Sequence, residues 1–474
     1  MEVSLCLEQT TTSRTSQITA IRILRTHRIL TAQTTAILRI IRRTARTAIT
    51  TNNRCWNGKR QDLNTSLAFF AAHTYISDWL YSKFYLTDRV NEYNILKENM
   101  IQEFLEKREI TELGYDVSHV EDGRVTFIGD DEAICRANIG LRTAERILIK
   151  VGSFRAETFE ELFENTKKLP WEEFIPSDGK FWVAKAASIK SKLFSPSDIQ
   201  SIMKKAMVER LKQIYHVNWF AEEGQSFPVR VFLMKDIVTV GLDTTGESLH
   251  KRGYRKYTAK APIAENLAAA MIMLTPWKSD RILVDPFCGS GTIPIEAALM
   301  AANIAPGMKR GFTALRWGHL IDKKMWDDCY EEAREQVDLS VSVKIEGYDI
   351  DPEMVKIAKQ NAHLAGVEHM IAFDIKDVGH LAHKGQYGFI ITNPPYGERL
   401  EEKATLPALY KKLGERFRSL DTWSLYLITS YEDAQRDIGR KADKNRKVYN
   451  GMMKTYYYQF MGPRPPKNND IKYK

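Results

Sequence analysis

The sequence predicts an α/β catalytic half, with a doubly wound, mostly parallel sheet and a late antiparallel hairpin, preceded by an α+β region. Three observations predict it. A short apolar strand, a glycine-rich turn and a helix follow one another from 281 to about 304, the order found where a sheet binds a ligand at a helix N-terminus. Acidic residues end the next two strands. Asn450-Gly451, a strong hairpin signal, then lies within RKVYNGMMKTYYYQF.

Length and composition restrict the class of protein. The chain has 474 residues, of which 43% are hydrophobic and 27% are charged, so we expect two to four soluble globular domains. No stretch approaches the roughly 20 apolar residues of a membrane span, which argues against an integral membrane protein. The cysteines lie far apart without metal-ligand spacing, so we expect a reduced, cytoplasmic chain without a metal site or disulfide framework: Cys6, Cys55, Cys135, Cys288 and Cys329.

The net charge of +9 comes from the N-terminal segment. Residues 1–60 hold eleven basic and two acidic side chains, whereas the remaining 414 residues hold 58 of each sign. The segment fits an organellar transit peptide, a nucleic-acid-binding arm, or a low-complexity leader or translation artefact. We favour the last, and predict residues 1–100 to be an atypical basic and aromatic leader, disordered or artefactual.

The middle of the chain predicts two α+β units, over 101–153 and 154–255. In the second unit, Ser195-Pro196 begins a helix whose apolar stripe alternates with lysines. From Lys180 to Lys212 there are eight basic and two acidic residues, a balance that suits contact with phosphate. The basic turn after the second unit places Tyr254 among cations, which suits phosphate and base contact or, equally, an interdomain linker in which arginines pair with acids. The candidate RNA-binding residues are Lys190, Lys192, Lys204, Lys205, Lys251, Arg252 and Arg255.

The glycine-rich turn follows Asp285 at the end of RILVDPF. Position 294 is Pro294 where a dinucleotide fingerprint would need a third glycine, and no Walker lysine follows Gly291. The turn therefore suits a nucleotide-like ligand that is neither a dinucleotide nor a nucleoside triphosphate. The candidate ligand-binding residues here are Asp285, Cys288, Gly289, Ser290, Gly291 and Thr292.

Two acids end the following strands. Asp349, next to Ile350, ends KIEGYD, where a carboxylate can accept hydrogen bonds from a ribose diol. Asp377 follows the next strand, where a carboxylate could meet an adenine amino group. Either acid could instead cap the helix that follows it.

Asn393-Pro394-Pro395-Tyr396 follows the fourth strand, YGFIIT. The two prolines hold the loop rigid. The Asn393 side-chain oxygen and the Pro394 carbonyl can each accept one N–H of an exocyclic amine, aiming its lone pair at a methyl donor, while Tyr396 stacks on the base. This arrangement needs no acid of matched pKa, because the amine can lose its proton after attack.

Together, DPFCGSGT, GYDID and NPPYGERL resemble the class I S-adenosylmethionine-dependent methyltransferases that modify amines. With LHKRGYR and the α/β unit before it, residues 101–462 resemble the bacterial THUMP-domain RNA guanine-N2 methyltransferases, such as the N-terminal part of the 23S rRNA methyltransferase RlmL. The resemblance implies that S-adenosyl-L-methionine contacts the 285–292 turn, Asp349 and Asp377, and that the THUMP unit holds structured RNA. The family begins with a strand that the residues before Ile101 do not match, so we expect that strand to be missing or replaced.

We therefore expect five segments: the leader (1–100), a partial ferredoxin-like unit (101–153), a THUMP RNA-binding domain (154–255), the methyltransferase domain (256–462) and a polar tail (463–474). The expected reaction is methyl transfer to N2 of guanine in RNA, 23S rRNA first and tRNA second. Asn393, Pro394, Pro395 and Tyr396 are the predicted catalytic residues, and Ile350 and Asn393 also line the cofactor site. The alternatives are N6-adenine methylation of DNA, or an RNA-binding assembly factor with an inactive methyltransferase fold. The sequence leaves the oligomeric state open.

Overall fold

The computed structural model describes residues 93–98, 103–121, 123–257, 262–397, 400–451 and 453–466. All of them belong to one compact unit, Val90–Lys474. The expectations for the basic leader, the aromatic stretch after it and the end of the polar tail fall outside the described residues. Among the described residues, no helix combines the length and the apolar character needed to cross a membrane.

The first half of this unit forms one seven-stranded sheet, with strand order β2-β3-β1-β4-β7-β6-β5. Neighbouring strands are antiparallel except β5 and β6, which are parallel. A single continuous sheet thus joins the two α+β units that the sequence predicts separately. Its elements are β1 (Tyr93–Glu98), α1 (Glu103–Glu112), β2 (Val117–Glu121), β3 (Arg124–Gly129), α2 (Asp131–Gly140), β4 (Arg146–Arg155), α3 (Phe159–Lys167), β5 (Lys180–Ile189), α4 (Pro196–Tyr215), β6 (Ser226–Met234) and β7 (Ile237–Asp243).

Strand β1 corrects the expectation of a missing first strand. It lies inside the sheet and pairs with β3 over Tyr93–Glu98 and with β4 over 95–98. The sequence alone does not reveal this strand, because YNILKE adjoins the atypical leader and carries no turn motif before it. The α+β region therefore includes Tyr93–Glu98, and the predicted leader, 1–100, extended too far at its C-terminal end.

The second half forms the predicted doubly wound sheet, with strand order β10-β9-β8-β11-β12-β14-β13. The strands from β10 to β12 are parallel, and β14 and β13 add the antiparallel hairpin. The fold class predicted from the sequence is confirmed. The elements are α5 (Glu265–Met273), β8 (Leu283–Asp285), α6 (Thr292–Ala301), α7 (Lys323–Glu335), β9 (Ile345–Asp349), α8 (Pro352–Ala365), β10 (Ile371–Ile375), β11 (Phe389–Thr392), α9 (Leu400–Arg418), β12 (Ser424–Thr429), α10 (Ala434–Ile438), β13 (Lys444–Asn450) and β14 (Met453–Phe460).

The segment between α6 and β9 packs against the first sheet rather than its own. Trp317 is fully buried and stacks on Phe227 of β6 with ring centroids 5.1 Å apart, and its indole N–H donates to the Ser226 carbonyl over 3.0 Å. An Arg136–Glu332 ion pair of 2.6 Å joins α2 to α7. Buried aromatic side chains of this size contribute strongly to packing energy, so this segment, residues 303–335, fastens the two halves together.

A cavity of about 380 Å³ lies beside this junction, lined by parts of α1, α2 and α7. Its charged lining is balanced between arginines and glutamates, as in the Arg136–Glu332 pair. None of its lining residues lies at the carboxyl end of a parallel strand, where sheets of this kind place their ligands. We therefore assign no ligand to it.

Candidate active site

A cleft of about 880 Å³ opens at the carboxyl ends of the parallel strands in the second sheet. This is the edge where open α/β sheets bind ligands, and the volume is in the range of small-molecule sites. The cleft brings together every predicted cofactor and catalytic residue except Gly291, which supports the turn from behind. Its lining includes Asp285, Cys288, Gly289, Ser290, Thr292, Asp349, Ile350, Asp377, Asn393, Pro394, Pro395 and Tyr396.

The glycine-rich turn needs its glycines for two different reasons. Gly291 has φ +83°, and a Cβ there would lie 3.0 Å from the Ala358 Cβ and 3.1 Å from the Phe373 ring, so a side chain has neither the backbone conformation nor the space. Gly289 has φ +50°, but a Cβ there would meet nothing within 4 Å. At Gly289 the open space belongs to the cleft, and a bare backbone allows a ligand to approach closely.

Hydrogen bonds fix this turn to the neighbouring strand. The Cys288 N–H donates to the Tyr348 carbonyl over 2.8 Å, and the Gly289 N–H donates to Asp349 Oδ2 over 3.0 Å. Burial raises the pKa of the Cys288 thiol, which suits a packing role rather than a reactive one. Ser290 and Thr292 are buried with their hydroxyl oxygens 3.4 Å apart.

Asp285 lies under the turn, with 1% of its surface exposed. Its Oδ1 accepts hydrogen bonds from the Thr392 hydroxyl at 2.6 Å and from the Phe287 N–H at 3.1 Å. The carboxyl therefore ties the ends of β8 and β11 together. Burial raises the pKa of Asp285 to about 7, and the negative charge of the nearby Asp349 makes a smaller contribution in the same direction.

Asp349 faces the cleft from the end of β9. Besides the Gly289 N–H, its carboxylate accepts the Asp351 N–H, at Oδ1 and 3.0 Å. Burial raises the pKa of this carboxyl. Each oxygen keeps a second lone pair, so Asp349 can accept further hydrogen bonds from a ligand diol. Asp351, not Asp349, caps helix α8.

Asp377 lies on the cleft wall but is already engaged. Its Oδ1 accepts the Gly379 N–H over 2.7 Å and a hydrogen bond from the Lys412 ammonium over 3.1 Å. The Gly379 N–H, ahead of the Lys412 contact, lowers the pKa of Asp377. Asp377 therefore caps the short helical turn Val378–His380, the alternative role expected for it. Both of these hydrogen bonds reach Oδ1, so Oδ2 is the oxygen with more capacity to accept a ligand donor.

The loop after β11 presents its polar groups to the cleft. The Tyr396 hydroxyl donates a hydrogen bond to Asn393 Oδ1, which fixes the amide and the ring relative to each other. The Tyr410 hydroxyl donates to the Pro395 carbonyl over 3.2 Å and anchors the loop from below. Among the described residues, none donates a hydrogen bond to the carbonyl of Pro394, a residue that lines the cleft.

The tip of the late hairpin also lines the cleft, through Asn450, Gly451 and Met453. Sequence reasoning identified the Asn-Gly turn but assigned it no part in the site. A signal was present, because β14 runs antiparallel to β12 and so begins near the edge where β12 ends. A hairpin tip at that edge extends over the same cleft as the loop after β11.

The predicted RNA-binding residues fall into three groups: two arginines buried in ion pairs, three lysines held in ion pairs, and two exposed lysines without an ion pair among the described residues. The burial of Arg252 and Arg255 corrects the prediction that they bind RNA. Arg252 is 3% exposed, donates to the Leu249 carbonyl over 2.7 Å and lies 3.5 Å from the buried Glu296. Arg255 is largely buried in an ion pair with Glu265 at 3.0 Å. The interdomain-linker alternative, in which arginines pair with acids, is the one observed.

Tyr254 follows the same pattern as these arginines. It is 2% exposed and its hydroxyl donates to Glu296 over 3.1 Å. The basic turn failed as a predicted surface because its two arginines are matched by acids on the helices that follow it, Arg255 by Glu265 on α5 and Arg252 by Glu296 on α6. Sequence spacing could not show that pairing.

The lysines remain at the surface, and they differ in whether an ion pair holds the side chain. Lys204 is held by Glu222 at 2.7 Å and lies over the Phe181 ring at 3.7 Å. Lys251 pairs with Glu247 at 3.1 Å, and Lys192 pairs with Glu157. Lys190 and Lys205 are exposed and form no ion pair among the described residues.

The cleft fits S-adenosylmethionine by the chemistry of its lining. It offers a bare glycine backbone at a helix N-terminus, an acid suited to a diol, and an extended wall from Asp349 to Asp377. These residues would hold the amino-acid, ribose and adenine parts of the cofactor in turn. Among the described residues, no cluster of three His, Cys, Asp or Glu side chains could hold a metal ion.

Fold and cleft together define an S-adenosylmethionine-dependent methyltransferase of class I. Family models match three consecutive segments: the RlmL ferredoxin-like domain over 102–148, the THUMP domain over 156–243, and the RMKL-like methyltransferase domain over 252–459. The chain belongs to the RlmK/L-type family of RNA methyltransferases. The family resemblance inferred from the motifs is confirmed.

Two curated relatives show how far the similarity extends. The chain is 48% identical over 355 residues to "Putative RNA methyltransferase YpsC" of Bacillus subtilis, covering 74% of this chain and 91% of that protein. It is 33% identical over 356 residues to "Ribosomal RNA large subunit methyltransferase K/L" of Shewanella baltica, covering 73% of this chain and 50% of that protein. The chain thus spans about half the length of the K/L relative.

Solved structures agree with the fold. SMU.472, "a putative methyltransferase complexed with SAH", is 42% identical with a TM-score of 0.74, covering 79% of this chain and 99% of that one. A "predicted N6-adenine-specific DNA methylase" of Listeria monocytogenes is 44% identical with a TM-score of 0.74, covering 78% and 97%. The complex with SAH supports S-adenosylmethionine as the cofactor.

Proposed function

We propose that this protein transfers a methyl group from S-adenosylmethionine to the exocyclic N2 of a guanine in RNA, with 23S rRNA as first substrate and tRNA as second. The observation that carries the proposal is the pair of acceptors at Asn393 and Pro394, held on one rigid loop in the same cleft as the glycine-rich turn. The THUMP domain in the same compact unit supports an RNA substrate, as do the relatives' names.

The chemistry requires orientation more than acid–base catalysis. S-adenosylmethionine, when bound, supplies an electrophilic methyl group. Asn393 Oδ1 uses one lone pair for the Tyr396 hydroxyl and keeps another for one N–H of the amine. The Pro394 carbonyl takes the second N–H. With both N–H groups engaged, the nitrogen lone pair is directed at the methyl group, and a proton leaves after attack.

Each domain would have a separate role in the reaction. Residues 256–462 would carry the reaction, with Asp349 at the ribose, Asp377 at the adenine and the 285–292 turn at the rest of the cofactor. Residues 154–255 would bind RNA, supported by a ferredoxin-like unit that the structure extends back to Tyr93. Tyr396 would stack on the target base, and the hairpin tip lines the same cleft.

The experiment that tests the reaction is labelled-methyl transfer to total RNA and genomic DNA in parallel, with nucleoside analysis by mass spectrometry. N2-methylguanosine in the RNA fraction is the expected product. N6-methyladenine in the DNA fraction would overturn the polymer and the base, the alternative that the Listeria relative's name favours. No product, with no cofactor binding by calorimetry, would favour the inactive assembly factor.

The variant Asn393→Ala tests the orienting role. We expect cofactor affinity to stay within about threefold while turnover falls at least about a hundredfold, the effect of removing one transition-state hydrogen-bonding group. The matched control is Asn445→Ala, an exposed asparagine on β13 outside the cleft. Equal losses of affinity and turnover in Asn393→Ala would refute the role.

A further inference from the structure

One end of the first sheet, remote from the methyl-transfer cleft, combines exposed apolar side chains with unpaired cations. The strand register places Arg155, Ile237, Met234 and Ile189 in one row across β4, β7, β6 and β5. Beside this row lies the β5–α4 loop, which carries Phe194. We call the following residues the basic–aromatic end: Arg155, Ile189, Lys190, Lys192, Phe194, Lys235 and Ile237.

Its apolar members are exposed to a degree that packing does not explain. Phe194 is 81% exposed, Ile189 52% and Ile237 42%. Three large apolar side chains at one end of one sheet form a patch of the kind that marks interaction sites. Phe194 in particular offers the face of a ring to any planar partner.

Only some of the basic side chains at this end are held in ion pairs among the described residues. Lys190 and Lys235 are exposed and form no ion pair within the described part of the chain, whereas Glu157 pairs with both Arg155 and Lys192. The Asp236 side chain lies among these cations, and its Oδ1 accepts the Lys192 N–H over 2.7 Å. Four basic side chains, Arg155, Lys190, Lys192 and Lys235, stand against two acidic ones, Glu157 and Asp236, so the end is positive on balance beside its apolar patch.

The backbone holds these side chains in a defined shape. The Lys235 N–H donates to the Ile189 carbonyl over 3.2 Å, and the Asp236 N–H donates to the Ser191 hydroxyl over 3.0 Å. Lys190 and Lys235 have φ of 50° and 52°, a left-handed conformation that glycine adopts without steric cost. At Lys235 this conformation belongs to the two-residue turn between β6 and β7, whose other residue, Asp236, has φ of 64°.

We propose that the basic–aromatic end binds an unpaired stretch of the RNA substrate, with a base stacked on Phe194 and phosphates held by Lys190 and Lys235. An exposed ring beside cations is the combination that binds single-stranded nucleic acid, because every base offers a face for stacking. A duplex would keep its bases inside and leave the ring without a partner. The inference rests on the proposed RNA substrate and adds where, and in what form, the RNA is held.

The test compares two labelled RNAs by fluorescence anisotropy with the full chain: a hairpin with a single-stranded 3′ tail of about eight nucleotides, within the range of single-strand sites, and the same hairpin blunt-ended. Phe194→Ala should weaken binding of the tailed hairpin about tenfold, within the range expected for removing one base stack, and leave the blunt one unchanged. The control is Trp219→Ala, which removes an aromatic ring that is 75% exposed and lies beyond the opposite end of α4. It should bind both RNAs as the wild type does.

A second variant tests the role of the two lysines at the phosphates. Lys190→Gln combined with Lys235→Gln should reduce the slope of log affinity against log salt by about 1.4 on the tailed hairpin, because each cation removed from a single-stranded phosphate lowers that slope by about 0.7. Equal effects of Phe194→Ala and Trp219→Ala, or equal losses on both RNAs, would overturn the proposal. So would normal binding by the variants, as expected if this end docks a protein.

The outcomes separate this inference from the proposed function. If the wild type methylates RNA and binds the tailed hairpin, but Phe194→Ala binds it equally well, the inference alone is wrong. If the wild type neither methylates nor binds RNA, the proposed substrate is wrong and this inference falls with it.

Discussion

Asp285 gives a prediction whose sign and size both follow from burial. Its carboxyl is 1% exposed and has a pKa of about 7, against about 3.8 for the unburied group. A raised carboxyl pKa means that the fold favours the protonated form. The stabilisation is therefore complete below about pH 4 and is lost as the pH rises through 7.

The perturbation is Asp285→Asn, which keeps an acceptor for the Thr392 hydroxyl and the Phe287 N–H but cannot ionise. A shift of about three units corresponds to about 4 kcal/mol in total. Of this, about 2–3 kcal/mol is lost between pH 5 and pH 8. We expect the unfolding free energy of the variant, relative to wild type, to rise by about that amount over this interval.

The assay is urea unfolding followed by tryptophan fluorescence at pH 5, 6.5 and 8, without ligand. Asp280→Asn, at an exposed carboxyl shortly before β8 begins, is the control and should show no such trend. A difference between Asp285→Asn and wild type that stays constant with pH would refute the reasoning, because it would mean that the buried carboxyl ionises normally.

Four further predictions concern the cleft, the junction and the leader. Asp349→Ala should weaken cofactor binding at least about tenfold by calorimetry, since hydrogen bonds to a charged group contribute about 1.5–3 kcal/mol each; unchanged affinity would mean that the ribose lies elsewhere. Arg252→Leu should lower the unfolding free energy by about 3–5 kcal/mol in urea titrations, because Glu296 is left buried without its partner, while RNA affinity of the folded protein stays normal; weakened RNA binding would restore Arg252 to the RNA surface. Tyr396→Phe, which keeps the ring but frees the Asn393 amide, should reduce turnover about tenfold with little change in cofactor affinity, and full turnover would show that the hydrogen bond does not orient the amide. Deleting residues 1–60 should leave methyl transfer intact in the same assay, and an inactive truncation would assign the leader a role.

The catalytic half could be read from the sequence because its signals are local. A strand, a glycine turn and a helix lie next to one another in the chain, and the cleft residues end successive parallel strands, so the topology brings them together without further information. The reason for glycine at position 291 was not local, because the side chains that exclude a Cβ there, Ala358 and Phe373, come from a later helix and strand. The roles of individual acids were less accessible, since Asp351 rather than Asp349 caps α8, and Asp377 is shared with Lys412 from α9.

The basic turn shows why the rest could not be read. Arg252 and Arg255 look like a phosphate-binding pair until Glu296 and Glu265 are placed beside them, and those partners come from helices of the other sheet. Phe194 shows the converse. An apolar residue before a helix reads as core, and its 81% exposure depends on how the β5–α4 loop turns.

The segment 303–335 has a consequence for how a target would be chosen. It belongs in sequence to the catalytic half, yet Trp317 is packed into the core of the RNA-binding half. A fastening of this kind holds the methylation cleft at a set distance from the surface that we propose grips RNA. The fixed distance would then select the target, because only a nucleotide at that distance from the bound RNA strand can reach the methylation cleft. Inserting base pairs between the bound strand and the target nucleotide would move methylation to a different nucleotide or abolish it.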